Sequence, residues 1–200
     1  MKVIIAILSL CCIPSFGRCQ PSPDTLNYMI EVASFKVGTM MATRLHLGNG
    51  KTKYTLISNV KVNLLLYHLK LFYKVESNYM NNKLITAFVN TKSNKGNFYT
   101  QVIEVNGRYF IKAHQYSHHL ETIETDPILY SVAKAFFERP RQGKVFGEYL
   151  GDYLLVDKVS EDVYIFKRKD QVDEYTYSHD IVKSIVKKNR FIDFKVRLIK

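Results

Sequence analysis

The side chains best suited to chemistry lie between residues 114 and 152. His114, His118 and His119 are followed by Glu121 and Glu124, and imidazole and carboxylate groups are ligands that zinc accepts. Their spacing does not suit a catalytic zinc site, which sets two histidines on one face of a helix or strand and adds a distant third ligand. We therefore interpret this segment as a solvated linker and expect no metal site.

Residues for nucleophilic or acid–base catalysis form no recognisable pattern. Ser131 stands in the sequence YSVAK rather than in the strand-to-helix elbow G-x-S-x-G of hydrolases. Glu148 and Asp152 are close in sequence, but paired carboxylates act only where they converge in a cleft, and we interpret both as surface charges at strand ends. The sequence thus predicts neither an enzyme nor a cofactor.

A basic cluster lies near the C-terminal end of the chain. It consists of Lys183, Lys187, Lys188, Arg190, Lys195 and Arg197. Several of these residues alternate with apolar ones, so the cluster can be the wet face of two antiparallel strands, where lysine also discourages edge pairing. The alternative is binding to an anionic membrane surface or glycan, to which each basic residue adds about 1 kcal/mol near a membrane.

Residues 1–19 have the pattern of a secretory signal peptide. Lys2 precedes an apolar run over residues 3–13, which is too short to span a membrane as a helix. Cleavage before Gln20 would remove all three cysteines and exclude disulfides; lipidation of Cys19 is the alternative. We expect export across the inner membrane, to a periplasmic or envelope-associated location or into the medium.

The charge of the chain narrows the choice of partners. The net charge is +11 over 200 residues, which favours anionic partners such as nucleic acid, lipid or glycan. Export makes nucleic acid the least expected of the three. The sequence does not indicate a protein partner.

The remaining sequence predicts a single β-rich domain over residues 20–200. Short runs of alternating apolar and polar residues, separated by turns, are typical of antiparallel strands. Asn49-Gly50 and Asn106-Gly107 are strong hairpin turns, because this pair accepts positive φ angles. A further hairpin is predicted with its turn at residues 36–38, and residues 114–125 are predicted to be an irregular link.

One helix is predicted, over residues 126–139. Asp126 can cap its N-terminus, Pro127 suits the first helical position, and Pro140 ends it. At about 100° per residue, its buried face would carry Ile128, Leu129, Val132, Ala133, Phe136 and Phe137. The opposite face would carry Ser131, Lys134 and Glu138.

Together these elements predict a mainly β fold. We expect a large curved antiparallel meander, either a half-barrel or an open barrel, with the helix packed in its concave face. Tyr130, Phe136 and Phe137 are then the candidates to line an apolar cavity between helix and sheet.

Several stretches resemble a known family. They are ILYSVAKAFFERP, KVFGEYLGDYLLVDKV, YIFKRKDQVDEYTYSHDIVKSIV and FIDFKVRLIK. The sequence is similar to a family of exported envelope proteins of Bacteroidetes-type bacteria, the domain of unknown function 6134. This resemblance implies no reaction and no catalytic residues. The architecture also resembles the half-barrels of periplasmic lipoprotein carriers, which is an analogy of fold alone.

Two functions follow as hypotheses. The first is a non-catalytic envelope protein whose sheet and helix enclose a groove for a lipid or another apolar ligand. The alternative is a structural or protein-interaction module with a fully packed interior. The presence or absence of a cavity distinguishes them.

Overall fold

The fold is one large antiparallel sheet. The computed structural model describes residues 24–64, 67–116, 118–141, 143–169, 171–188 and 193–199. Residues 1–19 and Arg190 lie outside the described residues. The strands are β1 (Asp24–Val32), β2 (Phe35–Gly48), β3 (Lys51–Leu64), β4 (Tyr67–Met80), β5 (Lys83–Ser93), β6 (Gly96–Val105), β7 (Arg108–Gln115), β8 (His118–Glu124), β9 (Gly143–Gly147), β10 (Asp152–Lys158), β11 (Val163–Arg168), β12 (Gln171–Ser178), β13 (Ile181–Lys188) and β14 (Phe194–Leu198).

The sheet consists of two meanders joined along one seam. Strands β1 to β8 pair consecutively, as do β9 to β14, and β1 pairs with β14 to give the order β8-β7-β6-β5-β4-β3-β2-β1-β14-β13-β12-β11-β10-β9. Within the described chain β8 and β9 form the two edges, so the sheet is not closed. The predicted mainly β fold is confirmed.

The first hairpin turns earlier than predicted. Ala33 and Ser34 both have positive φ angles, of 46° and 69°, and form the tight turn, whereas residues 36–38 belong to β2. Gly38 serves a different purpose, because a Cβ at this position would lie 2.3 Å from the carbonyl oxygen of Asn59 on β3. The glycine thus permits close approach of two strands. The predicted turns at residues 49–50 and 106–107 are confirmed.

The predicted irregular link over residues 114–125 is wrong. β7 continues to Gln115, and His118–Glu124 form β8, which pairs antiparallel with β7. This edge strand is largely exposed and carries few apolar residues. Its backbone pairing with β7 stabilises it, and a hydrophobic pattern cannot show that.

The predicted helix is much shorter than expected, although the segment is buried as expected. Helix α1 covers only Val132–Ala135, while residues 125–130 are non-helical. Ser131, rather than Asp126, precedes the first helical residue. We call residues 125–141, which lie between the two edge strands in the chain, the crossing segment. Its residues 128 and 133–137 are buried.

The sheet supplies the hydrogen bonds that a longer helix would have made internally. The N–H of Leu84 donates to the carbonyl of Ile128 at 2.9 Å, and the N–H of Phe146 donates to that of Tyr130 at 3.0 Å. Buried backbone groups must be paired, but the partner need not be in the same segment. The local pattern predicted burial correctly and misassigned the conformation.

Tyrosines on the inner face of the sheet also bind the crossing segment. Tyr79 Oη donates to Ser131 Oγ at 2.8 Å, Tyr177 Oη donates to the carbonyl of Ala135 at 3.1 Å, and Tyr109 Oη accepts from the N–H of Ile128 at 3.2 Å. These tyrosines come from both meanders. The crossing segment therefore ties the two halves of the sheet together.

Three side chains of the crossing segment lie on the side opposite to the predicted one. Leu129 is 52% exposed, whereas Ser131 and Lys134 are buried. The short helix changes the side to which these residues point. Lys134 Nζ is accommodated by a hydrogen bond to Asn82 Oδ1 and by a Glu138 carboxylate oxygen at 3.5 Å, although burial lowers the pKa of its ammonium.

Candidate ligand-binding site

A cavity of about 450 Å³ lies on the inner side of the sheet. Strands β1 to β5 form one wall, strands β12 to β14 form the other, and α1 together with the β9–β10 turn covers it. Ligand pockets are typically about 300–1,000 Å³ with mostly apolar walls. The size of this cavity therefore suits a small apolar ligand.

Strand alternation produces the apolar lining. In β3, Leu56, Ser58 and Val60 point inward while Asn59 is exposed on the outer face, as expected for side chains of period two. Ser58 stands among larger inward residues, and its small side chain leaves room. The lining also includes Ile30, Met40, Leu69, Leu71, Phe136 and Val196.

Glu148, from the β9–β10 turn, places a buried carboxyl in the cavity wall. Its Oε1 accepts from Ser77 Oγ at 2.9 Å and from the N–H of Ala133 at 3.1 Å, and Ser131 also hydrogen bonds to the carboxyl. Burial raises the pKa of Glu148 despite these bonds, because removing a carboxylate from water outweighs them. The carboxyl thus ties the turn to β4 and to α1.

The predicted surface position of Glu148 is therefore wrong, whereas Asp152 has the expected exposed surroundings. Asp152 pairs with Arg168 at 3.0 Å and is about half exposed. The two carboxyls therefore have unlike environments. One signal could have indicated the burial of Glu148: it is the only charged residue in the run VFGEYLG.

A second polar group lies at the more exposed end of the cavity. Asp173 on β12 accepts from Lys187 Nζ on β13 at 2.7 Å and from Gln171 Nε2 at 3.1 Å, in both cases through Oδ2. Among the described residues, neither Asp173 Oδ1 nor the buried Thr91 Oγ1 has a hydrogen-bond partner. Thr91 and the three polar residues on β12 and β13 all line the cavity.

Of the three aromatic residues predicted to line a cavity, one does so. Phe136 lines it and also packs edge-on against Tyr28, with ring centroids 5.4 Å apart. Tyr130 instead donates a hydrogen bond to the carbonyl of Glu138. Phe137 packs against Tyr54 at 5.9 Å. The latter two stabilise the crossing segment outside the cavity.

The basic cluster is divided between the two faces of the sheet. Lys187 lines the cavity, whereas Lys195 and Arg197 flank the inward-pointing Val196 and are exposed on the outer face. Arg197 pairs there with Glu31 at 2.9 Å. Lys183 and Lys188 are also exposed, and Arg190 lies outside the described residues. Sequence spacing did not show that Lys187 faces inward.

The histidines are placed by the last two strands of the first meander. The rings of His114 and His119 are in contact, with centroids 4.3 Å apart, and His118 Nε2 lies 2.9 Å from the carbonyl oxygen of Leu150. In the described ranges no three His, Cys, Asp or Glu side chains are grouped so that they could hold a metal ion. No helix in those ranges is long and apolar enough to cross a membrane.

The sheet and its internal cavity define a β-barrel-like protein with an open edge. Residues 28–199 match the domain of unknown function DUF6134, and the chain belongs to this family. No curated protein matches the sequence.

A solved structure has a similar fold. It is the crystal structure of a β-barrel-like protein of the domain of unknown function DUF1849 from Brucella abortus, with a TM-score of 0.52 and 11% sequence identity. The similarity covers 89% of this chain and 96% of that one. At this identity the likeness concerns the fold alone.

Proposed function

We propose that the protein is a non-catalytic binding protein that holds an apolar or lipid-like ligand in the inner cavity. The observation that carries this proposal is the cavity of about 450 Å³ with its mostly apolar lining. Protein interiors are close-packed and contain few voids larger than a water molecule. A module with a fully packed core would not contain such a space.

We also propose that the protein acts after export, in the periplasm or elsewhere in the cell envelope. The apolar run and the flanking residues within positions 1–19 support this location. The mass of the polypeptide isolated from its host would test it, because export with cleavage gives a chain that begins at Gln20. A chain retaining residues 1–19 would contradict the proposal.

A pair of substitutions in β3 tests the ligand site. Ser58→Phe places a ring in the cavity. Asn59→Phe, at the adjacent position, places the same ring on the exposed outer face of the sheet. We expect native mass spectrometry to find an apolar adduct on the wild type and on Asn59→Phe. Ser58→Phe should lose the adduct and bind a neutral fluorescent apolar probe about tenfold more weakly or worse.

Thermal unfolding of both variants provides the control for folding. Bare wild-type polypeptide that also takes up no probe would overturn the ligand-binding proposal. Equal loss of the adduct in both variants would contradict the assignment of the cavity as the site. A polypeptide adduct would instead favour the interaction module.

One surface feature favours that second candidate. Phe110 and Ile123 are about half exposed and lie opposite each other on β7 and β8, with Ile103 next to Phe110 on β6. They form an apolar row across the outer face of the sheet, beside the β8 edge. Exposed apolar surface of this kind can mark a protein interface.

For the exposed basic residues we propose contact with an anionic membrane surface or glycan. Lys188 and Lys195 project into solvent. The chain from Gln20 onward has a net charge of +9, because cleavage removes Lys2 and Arg18 from a total of +11. We expect binding to anionic phospholipid vesicles that weakens as salt is added. The double change Lys188→Gln and Lys195→Gln should weaken it by about 2 kcal/mol, or roughly 30-fold. Salt-independent binding, or unchanged binding by the variant, would exclude this role.

A further inference from the structure

We propose that the ligand is a single-chain amphiphile whose head group donates hydrogen bonds, such as a long-chain alcohol or amine, and not a fatty-acid carboxylate. This inference rests on the proposed function, since it concerns the same cavity. It assigns the head group to the end of the cavity at which Asp173 and Lys187 lie.

The charges in the cavity wall do not suit an anionic head group. Among the described lining residues only Glu148, Asp173 and Lys187 are acidic or basic. The ammonium of Lys187 is already paired with the Asp173 carboxylate at 2.7 Å, and Glu148 accepts hydrogen bonds from Ser77 and Ala133. The cavity therefore offers a carboxylate ligand no uncompensated positive charge.

The unused hydrogen-bonding groups suit a donor instead. The Asp173 side chain is 4% exposed, and its Oδ1 has no partner in the described part of the chain. Thr91 Oγ1 is likewise buried without a partner there. A buried acceptor without a donor is unfavourable, so a hydroxyl or ammonium group on the ligand would satisfy it. A carboxylate would instead bring a second negative charge close to Asp173.

The position of these groups also orients the ligand. Gln171, which donates to Asp173, is exposed, so this end of the cavity meets solvent. Phe136 is buried and lines the cavity beneath α1. The head group then lies at the solvent end, near Asp173, and the chain extends inward toward Phe136.

Competition among ligands of equal chain length tests this inference. The purified protein is loaded with the neutral probe N-phenyl-1-naphthylamine, which is then displaced with dodecylamine, dodecanol or dodecanoate. The apolar chain is constant, so differences report on the head group. We expect dodecylamine and dodecanol to displace the probe at concentrations about tenfold lower than dodecanoate does.

Two matched substitutions locate the preference. Asp173→Asn removes the negative charge beside Lys187 with little change of shape, and it should reverse or abolish the preference for dodecylamine over dodecanoate. Asp157→Asn makes the same chemical change in an exposed ion pair with Lys167 and should leave the order of the ligands unchanged. Thermal unfolding shows whether each variant is folded, and the wild-type order remains decisive if Asp173→Asn does not fold.

The outcomes separate this inference from the proposed function. Displacement by dodecanoate at equal or lower concentration would overturn the head-group assignment while leaving the ligand site intact. An unchanged order in folded Asp173→Asn would also overturn it. Failure of the wild type to bind the probe or any of the three ligands would overturn the proposed function itself.

Discussion

Replacement of Phe136 by alanine should lower the free energy of unfolding by about 3–5 kcal/mol. Phe136 is 2% exposed, packs edge-on against Tyr28 of β1, and accepts a hydrogen bond from the N–H of Val182 on β13 through its carbonyl. Phe136 thus joins the crossing segment to both meanders, through its ring to β1 and through its backbone carbonyl to β13. Alanine keeps the backbone bond and loses the ring. Truncation removes buried apolar contacts and enlarges the adjoining cavity. Equilibrium unfolding in urea would measure the change.

Leu129→Ala is the matched control for this prediction. Leu129 belongs to the same segment and is predicted to be buried if residues 126–139 form one helix, but it is 52% exposed in the structure. We expect its truncation to change stability by less than about 0.5 kcal/mol. Comparable losses in Leu129→Ala and Phe136→Ala would instead favour the longer helix.

Glu148→Ala is the second substitution with a large expected effect on stability. It should lower the free energy of unfolding by about 3 kcal/mol. The change leaves Ser77 Oγ and the N–H of Ala133 without the acceptor they have in the wild type, and each buried unpaired group costs about 1–3 kcal/mol. Glu148→Gln keeps the shape and an acceptor oxygen, so its loss should be smaller. Chemical denaturation of the two variants would measure both effects.

Glu148 should also make stability depend on pH. Burial raises its pKa in the folded protein above the ordinary 4.5, so the folded state retains a proton that the unfolded state releases. The contribution of Glu148 to the free energy of unfolding is therefore greatest below pH 4.5, and it is lost as the pH rises through the raised pKa of the folded state. Glu148→Gln resembles the protonated acid at every pH and should lack this slope.

Measurement of unfolding free energies from acidic to neutral pH would test the pH dependence. The stability of the wild type relative to Glu148→Gln should fall as the pH rises above 4.5. A constant difference between the two proteins would show that Glu148 titrates normally. A rise in the stability of the wild type relative to Glu148→Gln as the pH increases would show that the hydrogen bonds of the carboxylate outweigh the effect of its burial.

Local sequence patterns correctly predicted the turns and strands whose conformation depends on residues adjacent in the chain. Asn49-Gly50 and Asn106-Gly107 form turns because their backbone conformations are intrinsic to these residues. The predicted alternation of apolar and polar residues is present in β3, where Leu56 and Val60 are buried, because one face of the strand is covered. The antiparallel architecture followed from these signals.

Features that depend on distant partners were not predictable in the same way. The conformation of the crossing segment depends on its hydrogen bonds with Tyr79, Tyr109 and Tyr177, which lie on three different strands of the sheet. The inward position of Lys187 depends on its pairing with Asp173 across β12 and β13. A single sequence shows neither which strands are neighbours nor which face of a strand is covered.

The seam between β1 and β14 has a consequence for the kinetics of folding. Each meander can assemble through hairpins between consecutive strands, but Glu31 and Arg197, which pair across the seam, are 166 residues apart in the chain. Contacts between distant residues require closure of a long loop before they are stabilised, and they slow folding. The two meanders should therefore form first, and their joining, which brings together the two walls of the cavity, should limit the rate at which the native protein appears.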